Sequence, residues 1–184
     1  MEKSEFIRQF MKNRKMIGSM RPSSRFLTRK MLKTIPFQND LVIVELGPGT
    51  GVFTREILKN MSPGSKLLVF ELNKDFYENL KGSLKDERVT FIHDSAENIG
   101  MYLKEMNIAK ADIIVSSLPL ANFSKTLRDT LVRTCKACLK ANSKFIQFQY
   151  SPQSMGYLNK EFREVRLDFT LLNFPPAFVY ICQK

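Results

Sequence analysis

The sequence predicts an α/β protein built on a mostly parallel sheet, and three observations carry that reading. Leu41-Val42-Ile43-Val44-Glu45-Leu46 is almost wholly apolar and rich in Val and Ile, the composition of a strand buried on both faces. Gly47, Gly49 and Gly51 follow at once, and Val52 to Asn60 has a helical pattern, so the order is strand, glycine turn, helix, as in a nucleotide-binding βαβ unit. Further short apolar runs then recur along the chain, from Lys66 to Glu71, Val89 to Ile92 and Ala111 to Val115.

The 184 residues suit one domain with a real core, and the 43% hydrophobic content is that of a globular chain. No apolar run approaches the roughly 18 residues that span a bilayer, and no signal-peptide pattern opens the chain, so a cytoplasmic protein is expected. Cys135, Cys138 and Cys182 are an odd set that argues against a disulfide scaffold. Cys135-Lys136-Ala137-Cys138 is a lone C-x-x-C in a helical stretch, with no second pair for a zinc site, and reads as helical packing ahead of a redox motif. The net charge of +11 is concentrated: residues 1–40 hold ten basic and three acidic side chains, which points to an anionic partner, either phosphate backbone or acidic lipid.

Residues 3–16 have helical periodicity, with Phe6, Ile7, Phe10 and Met11 on one face and Arg8, Lys12 and Lys15 opposite. Such a helix fits a membrane interface, and it fits equally a helix docked on its own domain. Ser23 is a plausible N-cap for a second helix running to about Lys33, with Pro22 just before it. Residues 1–34 are therefore expected to form a basic helical arm, and residues 35–184 the domain on which it packs.

In the glycine turn the pattern is G-x-G-x-G, and Val52 stands where a dinucleotide fingerprint would place its last glycine; no Gly-Lys-Ser/Thr follows, which excludes a P-loop. Glu45-Leu46-Gly47-Pro48-Gly49-Thr50-Gly51 resembles motif I of the class I S-adenosylmethionine-dependent methyltransferases. The resemblance implies that the glycine backbone faces the methionyl and ribose parts of that cofactor. Glu71 closes the second strand, 20 residues after Gly51, at the offset where a carboxylate accepts from ribose hydroxyls. His93-Asp94-Ser95-Ala96 resembles the G-D-A motif, which implies that Asp94 pairs with the adenine amino group. His93, the only histidine, is expected to pack or cap beside it.

The fourth strand runs into Ser116-Ser117-Leu118-Pro119-Leu120. Adenine methyltransferases of this topology carry an Asn and an aromatic residue in that turn, the first for the amine and the second to stack on the base. Ser117 and Leu120 stand in their places. The S-x-L-P-L form, the Gly18-Ser19-Met20-Arg21-Pro22-Ser23-Ser24-Arg25-Phe26-Leu27 run and the Asn173-Phe174-Pro175-Pro176-Ala177-Phe178-Val179-Tyr180 ending resemble the bacterial PmtA-type phospholipid N-methyltransferases, relatives of the rRNA adenine dimethylases. Asn122 to Lys140 reads as a long helix and Ser143 to Tyr150 as a fifth strand. Val165 to Leu172 and Ala177 to Cys182 read as a closing antiparallel hairpin.

The resemblance implies a Rossmann-like class I methyltransferase fold: a seven-stranded, mostly parallel sheet with an antiparallel C-terminal hairpin, helices on both faces and the N-terminal helical arm. It implies S-adenosylmethionine held by Ser23, Ser24, Glu45, Gly47, Gly49, Gly51, Glu71, Leu72, Asp94, Ser95, Ala96 and Ser116. Ser117, Leu118, Pro119 and Tyr150 are candidates for positioning the substrate, with backbone carbonyls at Leu118 and Pro119 facing the amine; Tyr150 is equally a plain wall residue. No general base and no metal is assigned. The implied reaction is methylation of the amine of phosphatidylethanolamine toward phosphatidylcholine. The chain is then expected to be a monomer at the inner face of the membrane, held to anionic lipid by its N-terminal helix. An RNA or protein methyltransferase using the basic arm is the alternative. It is disfavoured for RNA because nothing after the hairpin supplies the helical RNA-binding domain of the dimethylases. A peripheral membrane protein that binds the cofactor without turnover is the non-enzyme reading.

Overall fold

The alternation of apolar strands and amphipathic helices resolves into three layers. The computed structural model describes residues 24–184. The expected helix over residues 3–16 and Ser23 lie outside the described residues. The first described helix, α1, spans Arg25–Leu32, and Ser24, not Ser23, is its N-cap: the Ser24 hydroxyl accepts from the Leu27 amide. Then follow β1 (Val42–Leu46), α2 (Val52–Asn60), β2 (Lys66–Phe70), α3 (Lys74–Ser83), β3 (Val89–Ile92), α4 (Ile99–Glu105), β4 (Ala111–Ser116), α5 (Lys125–Cys138), β5 (Leu139–Gln149), α6 (Met155–Glu161), β6 (Glu164–Thr170) and β7 (Ala177–Gln183).

The seven strands form one sheet in the order β3-β2-β1-β4-β5-β7-β6. β1 to β5 are parallel, while β7 pairs antiparallel with both β5 and β6. Side-chain alternation divides the core in two. Val44, Leu46, Leu68, Phe70, Ile114 and Phe145 pack under α4, α5 and α6. On the other face Ile43, Leu67, Val69, Ile113 and Ile146 pack under α1 and α2, where Leu27 and Met31 of α1 are fully buried. At the foot of α2 the Arg88 guanidinium donates to the carbonyls of Leu58 and Met61 and pairs with Asp86. It thus satisfies carbonyls that the helix end leaves without partners.

Three boundaries differ from the sequence reading. α5 begins at Lys125, because Leu120–Asn122 is a separate 3-10 turn and the Ser124 hydroxyl caps the helix through the Leu127 amide. β5 begins at Leu139, ahead of the expected Ser143: Leu139 pairs with Ala111, the register then shifts, and Asn142 takes a left-handed φ of 59° in the irregular stretch. β6 ends at Thr170, so Leu171 and Leu172 belong to the loop before β7 and stand in solvent. Cys135, Cys138 and Cys182 are all buried free thiols, held well above the ordinary thiol range chiefly by desolvation. Cys135 and Cys138 pack in the core under α5, the packing role that their spacing suggested.

Candidate active site

All five parallel strands end on one edge of the sheet, and the residues singled out by sequence gather there. The β1–α2 turn needs glycine: φ is +70° at Gly47, +60° at Gly49 and +80° at Gly51, backbone that side chains with a Cβ rarely adopt. A Cβ on Gly47 would also stand 3.0 Å from Leu118 Cδ2. The turn is anchored at both ends. The Gly47 amide donates to the Phe70 carbonyl at 2.9 Å, and Arg55 donates to the carbonyls of Thr50 and Gly51. We expect Gly47→Ala to lower unfolding free energy by about 1–3 kcal/mol, from left-handed strain and the Leu118 contact, as urea denaturation would show.

Glu71 follows β2 and is 1% exposed. Its carboxylate accepts from the Gly49 amide at 3.2 Å and the Asn73 amide at 2.9 Å, so the acid lies against the glycine turn. Leu72, half-buried, offers its carbonyl to His93 Nε2 at 3.1 Å, and the His93 ring stacks on Tyr77 with centroids 5.1 Å apart. His93 is thus a packing residue. Asp94 follows β3 and is held from three sides: by the Ser95 amide at 2.7 Å, Asn98 Nδ2 at 2.8 Å and the Tyr102 hydroxyl at 3.2 Å. Ser95 is buried and caps the short turn that begins at Ala96, itself buried in the core.

Glu45 sits within β1 itself, fully buried, and neither carboxyl oxygen has a hydrogen-bond partner. Burial pushes its pKa up to about 8, the nearby Glu71 charge adds to the rise, and Thr54 only partly opposes it.

The β4 turn is the most tightly held part of the site. The buried Ser116 hydroxyl accepts from the Leu118 amide at 3.3 Å, and the Ser117 amide donates to the Leu46 carbonyl at 2.9 Å. The carbonyls of Leu118 and Pro119, expected to face an amine, are engaged by the protein instead. Leu118 accepts from Gln147 Nε2, Gln149 Nε2 and the Leu120 amide, while Pro119 accepts from the Asn122 amide. The Ser117 hydroxyl, by contrast, is buried without a partner. Leu120 is 1% exposed and belongs to the core, so it presents no face on which a base could stack. Gln147 and Gln149 were not singled out by sequence, although two glutamines in an otherwise apolar strand are a legible signal, since buried amides require partners.

Ser24 is joined to the closing loop through Asn173, the first residue of the N-x-P-P motif, to which sequence reading gave no role in the site. The Ser24 amide donates to Asn173 Oδ1 at 3.0 Å, and Asn173 Nδ2 donates to the Pro175 carbonyl at 2.7 Å. Tyr150 packs edge-on against Phe148. The start of α1 and the β6–β7 loop are therefore tied together beside the glycine turn's end of the sheet.

The sequence matches the ribosomal RNA adenine dimethylase family over residues 3–151. It is 33% identical over 181 residues to an ornithine lipid N-methyltransferase of Singulisphaera acidiphila, covering 97% of this chain and 94% of that one. It is 30% identical over 125 residues to a ribosomal RNA small subunit methyltransferase A of Mycoplasma capricolum, covering 66% of this chain and 45% of that one. Among solved structures, the N-methyltransferase NodS from Bradyrhizobium japonicum superposes with a TM-score of 0.70 at 10% identity, over 87% of this chain and 95% of NodS, a likeness of fold. With the family matched along most of its length and the glycine turn, Glu71 and Asp94 on one edge of a seven-stranded sheet, the chain belongs to the ribosomal RNA adenine dimethylase family of S-adenosylmethionine-dependent methyltransferases.

Proposed function

We propose that this enzyme methylates the primary amine of a membrane lipid head group, with phosphatidylethanolamine as the substrate and phosphatidylcholine as the end product. The observation that carries the reading is the β4 turn: an unpartnered Ser117 hydroxyl and a core-buried Leu120 stand where adenine chemistry needs an amide and an exposed ring. An aliphatic amine needs one acceptor to orient it and no stacking surface. The Singulisphaera relative's name supports an aliphatic lipid amine, since an ornithine side chain ends, like ethanolamine, in a primary amine.

The site fits S-adenosylmethionine on its own features. The glycine turn is a cradle that a Cβ would obstruct, Glu71 is a buried carboxylate beside it for the ribose hydroxyls, and Asp94 is a fixed acceptor for the adenine amine. Leu72, Ser95, Ala96 and Ser116 would line the same edge, with Ser24 closing one side. When bound, this cofactor supplies an electrophilic methyl group on a sulfonium.

The protein's contribution is alignment and exclusion of water. The ammonium must shed its proton to expose the lone pair. The turn from Ser116 to Asn122 holds no titratable side chain, and no residue is assigned as the base. Ser117 then accepts an N–H of the amine and aims its lone pair. So held, the amine would face the methyl group that the cofactor supplies, and the methylated product would shed one proton to solvent. Ser117→Ala is expected to slow turnover about tenfold with cofactor affinity unchanged, the loss of one hydrogen bond, as separate kinetic and calorimetric measurements would show.

The test of the reading is product analysis with labelled cofactor. Anionic vesicles carrying phosphatidylethanolamine, or an ornithine lipid in its place, are incubated with the enzyme and the lipids resolved. Methylated phosphatidylethanolamine supports the proposal, and label only in the ornithine lipid moves the head group. Label in neither, with methylation of structured RNA fragments or protein, overturns it. We place the monomeric enzyme at the inner face of the membrane, where the basic residues 1–34 would gain about 1 kcal/mol per cation near anionic lipid. Equal co-sedimentation with neutral and anionic vesicles would remove that part.

A further inference from the structure

We propose that the β6–β7 loop, Leu171 to Pro176, is a second membrane contact that inserts its apolar side chains into an anionic lipid monolayer beside the active site. The inference rests on the lipid reading above. Phe174 is 82% exposed, Leu171 73% and Leu172 63%, side chains that a monomeric soluble surface seldom presents together. Along β6 the same face continues through Phe169 and Leu167, 39% and 41% exposed, because alternate residues of a strand share a face.

The position of the loop follows from the strand directions. β7 is antiparallel to β5, and β6 is antiparallel to β7, so β6 runs with the parallel strands and ends at their cofactor edge. The loop is held there by Asn173, through the Ser24 amide at 3.0 Å and its own bond to the Pro175 carbonyl. Asn173 is 5% exposed while the residues on either side of it are the most exposed apolar ones described, so one buried amide fixes an apolar tip that projects outward.

Charge identifies the occupant. The tip carries no ionisable residue. The helix it abuts, α1, carries Arg25, Arg29 and Lys30, followed by Lys33, and no acid. Arg25, Arg29 and Lys33 are exposed, while Lys30 is engaged by Asp168 of β6. An apolar point flanked by exposed cations that form no salt bridge among the described residues matches a bilayer whose head groups are anionic and whose interior accepts leucine and phenylalanine. The tip then seats the enzyme with its site facing the head groups, so the amine reaches Ser117 without the lipid leaving the monolayer.

The chain has no tryptophan, so Phe174→Trp places a single reporter at the tip. With vesicles of phosphatidylglycerol and phosphatidylethanolamine, the expected result is a blue shift of emission and quenching by acyl-brominated lipid. Ala141→Trp, exposed at the far edge of the sheet, should remain unquenched. The triple variant Leu171→Ser, Leu172→Ser, Phe174→Ser should lose at least about tenfold in vesicle affinity while retaining cofactor binding and methylation of detergent-dispersed lipid. Emission at position 174 that is already blue in buffer means that the chain's own N-terminal segment or a second copy covers the tip, and overturns the proposal. So does emission unmoved by vesicles that carry the protein down. The lipid reading fails separately, if the parent chain methylates no lipid in detergent, whatever the reporter shows.

Discussion

Replacing Glu71 with alanine weakens S-adenosylmethionine binding about a hundredfold or more, the largest effect on ligand affinity expected of any single change in this chain. Hydrogen bonds to an ionised acceptor contribute about 1.5–3 kcal/mol each, and in the proposed pose the ribose would offer two hydroxyls to this one carboxylate. The acid also accepts the Gly49 amide, so its loss releases the turn proposed to cradle the cofactor. Glu71→Gln separates the two contributions. It keeps one acceptor oxygen and nearly the same shape, and should bind about tenfold more weakly than the parent, midway to alanine. Calorimetry with S-adenosylmethionine and with its demethylated product is the measurement. Unchanged affinity in the alanine variant would remove Glu71 from the cofactor site.

The second large effect is a dependence of stability on pH that originates in Glu45. Its folded pKa is raised to about 8 from an ordinary 4.5, so between those values the folded chain binds a proton that the unfolded chain does not. Stability from this group is complete below the unfolded pKa and is lost as pH rises through the folded one. From about pH 5 to about pH 8 the unfolding free energy should fall by about 3 kcal/mol. Glu45→Gln imitates the protonated acid, so its stability should stay flat across this range and exceed that of the parent at alkaline pH. Because the Glu71 charge adds to the rise, Glu71→Ala should lower the folded Glu45 pKa and shift the parent's alkaline loss to lower pH. Parallel denaturation curves for parent and Glu45→Gln would contradict this account.

The strands that carry the site were legible because they are buried on both faces. Ile43, Val44, Leu67, Leu68, Ile114 and Val115 are apolar whichever side they face, so a short Val- and Ile-rich run sufficed to find them. The glycine turn was legible for a stereochemical reason, since its left-handed residues admit little else. What escaped was set by distant partners. Gln147 and Gln149 matter because the Leu118 carbonyl lies just past the neighbouring strand β4, and Asn173 matters because of the Ser24 amide; at sequence separations of 29, 31 and 149 residues nothing local names these partners. The start of β5 was hidden by a bulge in polar residues. The end of β6 was overextended because Leu171 and Leu172 look like core, and apolar character by itself does not say which medium a side chain meets.

The three thiols have a practical consequence. All the cysteines of the chain lie inside it, protonated at neutral pH and shielded from solvent reagents. A maleimide dye or spin label directed at one added surface cysteine would therefore react there first, in an otherwise unaltered background. Slow modification of the native three would, in turn, time how often the folded chain opens.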